Sequence, residues 1–246
     1  MNFSQEQVFI VAGASSGIGQ AIALKLNELG ASVVALARSI EKLIETKNIA
    51  KYPDNFFVEK KDLVADVEGL SNYISELRKK YGKFSGLACV AGVDVIQTLQ
   101  TLNIEDIENT FKLNYQVPIF LSKGFADRRN NVGEGSSIVF ITSIAGVYPD
   151  KGQIVYGGSK AALIAASRSI SKELSSRKIR CNCISPAWIE TPMFEKQKEL
   201  IGVDISNYAL GIGQPSDVSN LTAYLLSADA RWITGQNYIL DGGRKW

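Results

Sequence analysis

The sequence predicts an α/β fold, a doubly wound parallel β-sheet flanked by helices in a single domain. Two observations carry it. Short apolar runs alternate with amphipathic segments along all 246 residues, with no linker, low-complexity tract or repeat between them, and that alternation builds a parallel sheet covered on both faces. The first apolar run, Val8–Ala12, also passes directly into the glycine-rich turn Gly13-Ala14-Ser15-Ser16-Gly17-Ile18-Gly19. Glycines there let the backbone turn tightly and approach a diphosphate, and the free amides at the start of the next helix attract its charge.

Composition narrows the chemistry. With 27 Lys plus Arg against 25 Asp plus Glu, the net charge of +2 gives no broad field for nucleic acid or an anionic membrane, so any anion must be bound locally. The start of the chain lacks an apolar signal core, and no apolar run approaches the ~18 residues of a membrane span; a cytoplasmic protein is expected. Histidine is absent. Proton transfer then falls to Tyr, Lys, Ser and carboxylates, and every histidine-bearing metal site is excluded; no metal is expected. Cys89, Cys181 and Cys183 are expected to be buried free thiols.

In order, the strands are read at Val8–Ala12, Ser32–Ala37, Asn55–Glu59, Gly86–Val90, a fifth starting at Ile138 and ending at Ser143, Ile179–Ser185 and Asn237–Leu240. The first helix carries Ile18, Ile22, Leu26 and Leu29 on its inner face, the 3.6-residue period of a core-facing stripe. Asp66 is expected to cap a helix running to Lys80. Another starts near Asn103 and continues to about Arg129, kinked near Asn114 because Pro118 removes a backbone bond. A mobile substrate-side insert is expected at about 187–212, helical from Met193 to about Ala209, and a last helix at Asp217–Leu226.

The tip of the second strand meets the adenosine ribose in dinucleotide-binding folds of this Rossmann type. Ala37 offers no carboxylate there and Arg38-Ser39 offers a cation, which favours a 2′-phosphate and hence NADP(H), with NAD(H) as the alternative. The chemistry is read from Ser143, Tyr156 and Lys160. Tyr156 precedes Lys160 by four residues, so both emerge from one helix face. A fixed cation favours the phenolate and is expected to bring the tyrosine pKa towards neutrality, giving a proton donor to a carbonyl or an acceptor from an alcohol.

These residues together resemble the short-chain dehydrogenases/reductases over essentially the whole chain. The matching pieces are Gly13-x-x-x-Gly17-Ile18-Gly19, Asp62, Ala91-Gly92, Asn114, Ser143, Tyr156-x-x-x-Lys160, Pro186 with Ile189 and Thr191, Ile233-Thr234-Gly235-Gln236 and Asp241-Gly242-Gly243. The resemblance implies a catalytic tetrad of Asn114, Ser143, Tyr156 and Lys160, in which Lys160 binds the nicotinamide ribose and Asn114 anchors a relay water. It also implies a cofactor site formed by Gly13, Ser15, Ser16, Gly17, Ile18, Gly19, Arg38, Ser39, Asp62, Leu63, Ala91, Gly92, Tyr156, Lys160, Pro186, Ile189 and Thr191. Cys89-Val90 stands where relatives often carry Asn-Asn, and Ala187 where glycine is usual.

Within the family the chain looks most like the bacterial 3-oxoacyl-(acyl-carrier-protein) reductases. The implied activity is an NADPH-dependent carbonyl reductase, a homodimer or homotetramer, acting on a small carbonyl or alcohol that is free or carrier-linked. Arg128, Arg129 and Lys172 are candidates to meet an acidic carrier. The alternatives are a dehydrogenase or reductase of a sugar, polyol or cyclic alcohol, and a non-catalytic NADP(H) sensor.

Overall fold

The computed structural model describes residues 1–201 and 204–244. Among them, seven strands form one all-parallel sheet: β1 (Val8–Ala12), β2 (Ser32–Ala37), β3 (Phe56–Lys60), β4 (Phe84–Cys89), β5 (Ser137–Ile141), β6 (Arg180–Pro186) and β7 (Asn237–Leu240). Their order is β3-β2-β1-β4-β5-β6-β7. The chain winds outwards from β1 in one direction and then from β4 in the other, so a crevice opens between the carboxyl ends of β1 and β4, where such sheets bind ligands.

Strand alternation sorts the core into two layers. Val8, Ile10 and Ala12 face one layer with Val34, Leu36, Leu87, Ile138 and Phe140. Helices α3 (Leu70–Tyr81), α5 (Val117–Ala126) and α6 (Ile154–Glu173) cover it, through Leu70, Ile74, Leu121, Phe125 and Leu163. Phe9 and Val11 face the other layer with Val33, Ala35, Ala88 and Val139. It is covered by α1 (Gly17–Glu28), α2 (Ile40–Asn48) and α8 (Pro215–Leu226), through Ile22, Leu26, Leu43, Val218 and Leu226. Two further helices are α4 (Ile104–Phe111), which packs on α6, and α7 (Pro192–Ile201), whose Met193 and Phe194 line the crevice.

Several sequence expectations shift. β5 ends at Ile141, so Ser143 stands two residues beyond the strand and opens a short 3₁₀ turn, its Oγ accepting from the Ala145 N–H at 3.1 Å. Asp66 does not cap α3. It closes the preceding turn by accepting from the Gly69 N–H at 2.9 Å, and Gly69 itself is the N-cap. The helix begun by Asn103, whose side chain accepts from the Asp106 N–H, is interrupted rather than kinked. Lys112–Gln116 form a π-helical turn before α5 resumes, and α5 ends at Ala126, short of Arg129. The helical insert is shorter than expected, α7 ending at Ile201 and a 3₁₀ turn following at Ile205–Asn207; residues 202 and 203 of that insert lie outside the described residues.

Candidate active site

Two clefts meet at the carboxyl edge of the sheet. The larger is an open cleft of about 1220 Å³ lined by the β1–α1 turn, the tips of β2, β3 and β4, and Tyr156 and Lys160 of α6. Gly13, Ser15, Ser16, Gly17, Ile18, Gly19, Arg38, Asp62, Leu63, Ala91, Gly92 and Thr191 all lie on its wall. The turn can only be built with glycine. Gly13 has φ of +98°, and a Cβ there would sit 2.6 Å from the Ala91 nitrogen, while a Cβ on Gly19 would sit 2.0 Å from the Gly13 oxygen. The first turn of α1 holds no acidic residue, and its N-cap Ser16 makes no capping bond with its side chain. The positive end of α1 is therefore directed at the cleft without a protein carboxylate to compensate it. These features fit a dinucleotide diphosphate.

The smaller cleft, about 640 Å³, is lined by Ser143, Ile144, Asp94, Asp150, Gln153, Tyr156, Trp188, Phe194 and Arg244, with Pro186, Ile189 and Thr191. Pro186 and Ile189 thus face this second cleft and not the first. Pro186 closes β6, and Ile189 is packed under the loop that follows it, 6% exposed. Thr191 reaches both clefts while its Oγ1 accepts from the Phe194 N–H at 3.2 Å. Ser39 lines neither. Its hydroxyl caps α2, accepting from the Lys42 N–H and donating to Glu41.

Tyr156 is the only titratable side chain shared by the two walls among the described residues. Its ring lies under the Lys160 ammonium, 5.8 Å from Nζ to the centroid, and Nζ donates to the Ile141 carbonyl at 3.1 Å. Asn114 lines neither cleft and is fully buried behind them. Its Oδ1 accepts from the Val93 N–H at 2.9 Å, and its Nδ2 donates to the Val93 carbonyl at 2.9 Å and to Ser159 Oγ at 3.1 Å. Both amide protons are thereby used. The side chain fixes the Gly92-Val93 segment against α6.

A family model described as Enoyl-(Acyl carrier protein) reductase matches residues 13–245, nearly the whole chain and all of the site just described. The chain belongs to the short-chain dehydrogenase/reductase family. It is 35% identical over 241 residues to the 3-oxoacyl-(acyl-carrier-protein) reductase FabG of Rickettsia felis, covering 95% of each chain. It is also 30% identical over 262 residues to the 7alpha-hydroxysteroid dehydrogenase of Bacteroides fragilis, covering 99% of this chain and 96% of that one. A short-chain dehydrogenase from Burkholderia cenocepacia solved in complex with NADP superposes with a TM-score of 0.89 at 28% identity, over 98% of this chain and 99% of the other. The protein is an oxidoreductase of this short-chain family, whose members bind NAD(H) or NADP(H).

One electrostatic expectation for this short-chain dehydrogenase is corrected. The chain's own groups do not bring the Tyr156 phenol towards neutrality. Burial pushes its pKa above the ordinary tyrosine range, the Asp94 carboxylate pushes it further, and only the neighbouring Ser143 hydroxyl pulls it down. The reason lies in Lys160, which is itself buried. Desolvation lowers its pKa to about 8, against the pull of Asp94, so it gives up its proton more readily than a solvated lysine, and its Nζ stands 5.8 Å from the ring centroid.

Asp94, Arg244 and Lys61 are site residues that the motifs do not mark. Asp94 follows the Ala91-Gly92 turn, and Arg244 arrives from the far end of the chain to pair with Asp150 at 3.0 Å; neither position carries a local pattern. Lys61 lines the larger cleft beside Arg38 and Asp62, and only the pairing of β2 with β3 places it there. The three cysteines are buried and unbridged. Burial pushes the Cys183 thiol up to about 12 and raises Cys89 and Cys181 as well, which leaves them inert.

Arg128, Arg129 and Lys172 are far from the clefts. The segment following α5 sits at the amino edge of the sheet, where the Phe84 N–H at the start of β4 donates to the Asn130 carbonyl. Arg129 is held there by Asp127 through bonds of 2.7 and 3.0 Å. Lys172 lies in the last turn of the 20-residue α6, about three to five turns beyond Tyr156 and Lys160.

Proposed function

We propose that this protein is an NADPH-dependent carbonyl reductase, able to run in reverse as a secondary-alcohol dehydrogenase. The observation that carries the proposal is the position of Tyr156, a protic side chain facing both the dinucleotide-shaped cleft and the smaller cleft that holds Ser143. The chemistry that a bound NADP(H) supplies is hydride transfer to or from a carbonyl carbon. Gly13, Ser15, Ser16, Gly17, Ile18 and Gly19 would hold its diphosphate, Asp62 and Leu63 its adenine side, and Arg38 its 2′-phosphate. Ala91, Gly92, Thr191 and Lys160 would hold the nicotinamide half, with Pro186 and Ile189 supporting it from the smaller cleft.

In the reductive direction Tyr156 donates its proton to the carbonyl oxygen, and Ser143 donates a hydrogen bond that keeps that oxygen in reach. The phenol is protonated at neutral pH, which is the form that reduction uses. Lys160 contributes positive charge over the ring as the phenolate forms. Asn114 acts through position: by clamping Val93 it fixes the strand tip against which the reactants lie.

A 3-oxoacyl thioester is the first substrate to test, supported by the FabG relative. A hydroxylated or cyclic substrate is the second reading, supported by the polar wall of Asp94, Asp150, Gln153 and Arg244 in the smaller cleft and by the hydroxysteroid dehydrogenase relative. The deciding experiment is a panel of 3-oxoacyl thioesters, keto sugars and cyclic ketones, following NADPH and then NADH at 340 nm (roughly the reduced nicotinamide absorbance). Consumption of NADPH with one class supports the proposal and names the substrate. Cofactor binding with no turnover anywhere in the panel contradicts it. The same reading includes a homodimer or homotetramer, consistent with the exposed Ile104 of α4 and Ile154 of α6.

A further inference from the structure

The end of β3 carries a cation that the family motifs do not assign. We propose that Lys61 is a specificity-determining residue, forming with Arg38 a two-cation clamp for the 2′-phosphate of NADP(H). The inference rests on the NADP(H) reading above and adds a residue to it.

Register places the two cations together. β2 and β3 are parallel, with Leu36 opposite Glu59 and Ala37 opposite Lys60. The pairing continues one step further, because the Lys61 N–H donates to the Ala37 carbonyl at 2.8 Å. Lys61 is therefore level with Arg38 on a strand roughly 5 Å away. Parity puts them on one face: Val34 and Leu36 of β2 and Phe57 of β3 pack in the same core layer, and Arg38 and Lys61 continue those two alternating rows. Both line the larger cleft. Lys60 points to the opposite face, where its charge acts on Glu41 of α2.

The local charges leave this pair available. Among the described residues neither Arg38 nor Lys61 is paired with a carboxylate, the ion pairs of neighbouring lysines being made by Lys25 and Lys80. Asp62, the nearest acid on the cleft wall, turns its Oδ1 to the Val64 N–H at 3.1 Å. Lys61 is also held in place: its Nζ stands 4.6 Å from the centroid of the Tyr73 ring. An ammonium oriented by a ring face loses less freedom on meeting an anion than a free one. A bidentate guanidinium and an oriented ammonium on two sides would match a dianionic phosphate, whereas the bare 2′-hydroxyl of NAD(H) gives them nothing to neutralise.

The test is calorimetric titration of the full-length protein with 2′,5′-ADP, 5′-AMP, NADPH and NADH, comparing wild type with Lys61→Met, Lys61→Arg, Arg38→Gln and the control Lys60→Met. Methionine keeps an unbranched chain against Tyr73 and removes only the charge. Lys61→Met is expected to weaken 2′,5′-ADP and NADPH about tenfold, leaving 5′-AMP and NADH within about twofold, with Lys61→Arg restoring affinity and Lys60→Met matching wild type. If wild type prefers NADPH and Arg38→Gln loses that preference but Lys61→Met binds 2′,5′-ADP like wild type, the Lys61 inference is overturned and the NADP(H) reading stands. Equal weakening of 5′-AMP and 2′,5′-ADP overturns it too, because Lys61 would then serve the adenosine and not the phosphate. If wild type binds NADPH and NADH equally, the NADP(H) reading itself fails, and the clamp with it.

Discussion

The Lys160 ammonium donates to the carbonyl of Ile141, 3.1 Å away, at the last residue of β5. That bond ties the middle of the α6 active face to the sheet edge and holds a charge where little water reaches it. The side chain is 4% exposed. Desolvation therefore dominates its titration, bringing the pKa down to about 8 from an ordinary 10.5.

This makes Lys160 a cost to stability with a defined pH window. The folded pKa lies below the unfolded one, so between about 8 and 10.5 the unfolded chain binds more protons and stability from this group rises with pH. The penalty is complete below pH ~8 and amounts to roughly 3 kcal/mol at most. Lys160→Met is expected to be inactive yet more stable than wild type at neutral pH, the difference shrinking as pH rises through that window. The raised thiols Cys89 and Cys183 act with the opposite sign at alkaline pH and each feels the Lys160 charge, so the comparison is made in a Cys89→Ala, Cys183→Ala background. Denaturant unfolding at a series of pH values reads the difference; a gap independent of pH contradicts the assignment.

Tyr156→Phe removes the proton donor while leaving the ring on which Lys160 rests. Turnover is expected to fall by about 10²–10⁴-fold, the range of a lost general acid, with NADPH affinity changed by less than about threefold. Steady-state kinetics with the substrate found in the panel, beside a fluorescence titration of NADPH, gives both numbers. Retained turnover would assign the proton to another group.

Asp94 raises the pKa of Tyr156 and of Lys160 alike. Asp94→Asn removes that charge, so both groups become easier to deprotonate. Oxidation of the alcohol, which needs the phenolate, is expected to reach its plateau at lower pH than in wild type, whereas reduction, which needs the phenol, begins to decline at lower pH. The pH profiles of kcat/KM in the two directions measure this. Unmoved profiles, or a shift to higher pH, contradict the electrostatic role of Asp94.

Much of the frame was legible before any coordinates. β1 and β2 fall on the residues their apolar runs predict, because a strand buried on both faces leaves a continuous signal; β7 does so too, although it is a partly buried edge strand. The glycine turn was equally plain, since its demands are local and steric. What escaped the sequence was set by tertiary neighbours. Asp66 looks like a cap, but the chain turns once more before α3 begins, so it serves Gly69 instead. The lowered tyrosine followed from spacing along α6, yet the dominant effects are burial and a carboxylate from another loop. Lys61 is silent until the register of β2 against β3 is known. Ser39 and Arg38 are adjacent in sequence, but one starts a helix and the other faces the cleft.

Asn114 carries a structural load that is separable from chemistry. Asn114→Ala would leave the N–H and carbonyl of Val93 and the Ser159 hydroxyl without this partner, a cost of roughly 2–3 kcal/mol. A lower denaturation midpoint is expected together with a fall in kcat, since the Val93 segment lines the larger cleft. Unchanged stability would show that the two-way bond is not maintained in solution.

Gly92 tests the precision of the site without substituting a titratable residue. A Cβ at this position would lie 3.1 Å from Asn114 Oδ1 and 3.2 Å from Lys160 Nζ, so one of the two polar atoms must retreat by a few tenths of an ångström. Asn114 is pinned by three hydrogen bonds and Lys160 by one; Lys160, the longer and less constrained side chain, is the one that moves. Gly92→Ala is therefore expected to fold with a stability within about 1 kcal/mol of wild type. Its kcat should fall about tenfold or more, because small misplacements at a reacting centre are costly. Binding of 2′,5′-ADP, which engages the other end of the cleft in the proposed mode, should be unchanged. A variant with wild-type kcat would mean that the position of the Lys160 ammonium does not limit the reaction, and one that loses 2′,5′-ADP binding would place the disturbance in the cleft as a whole.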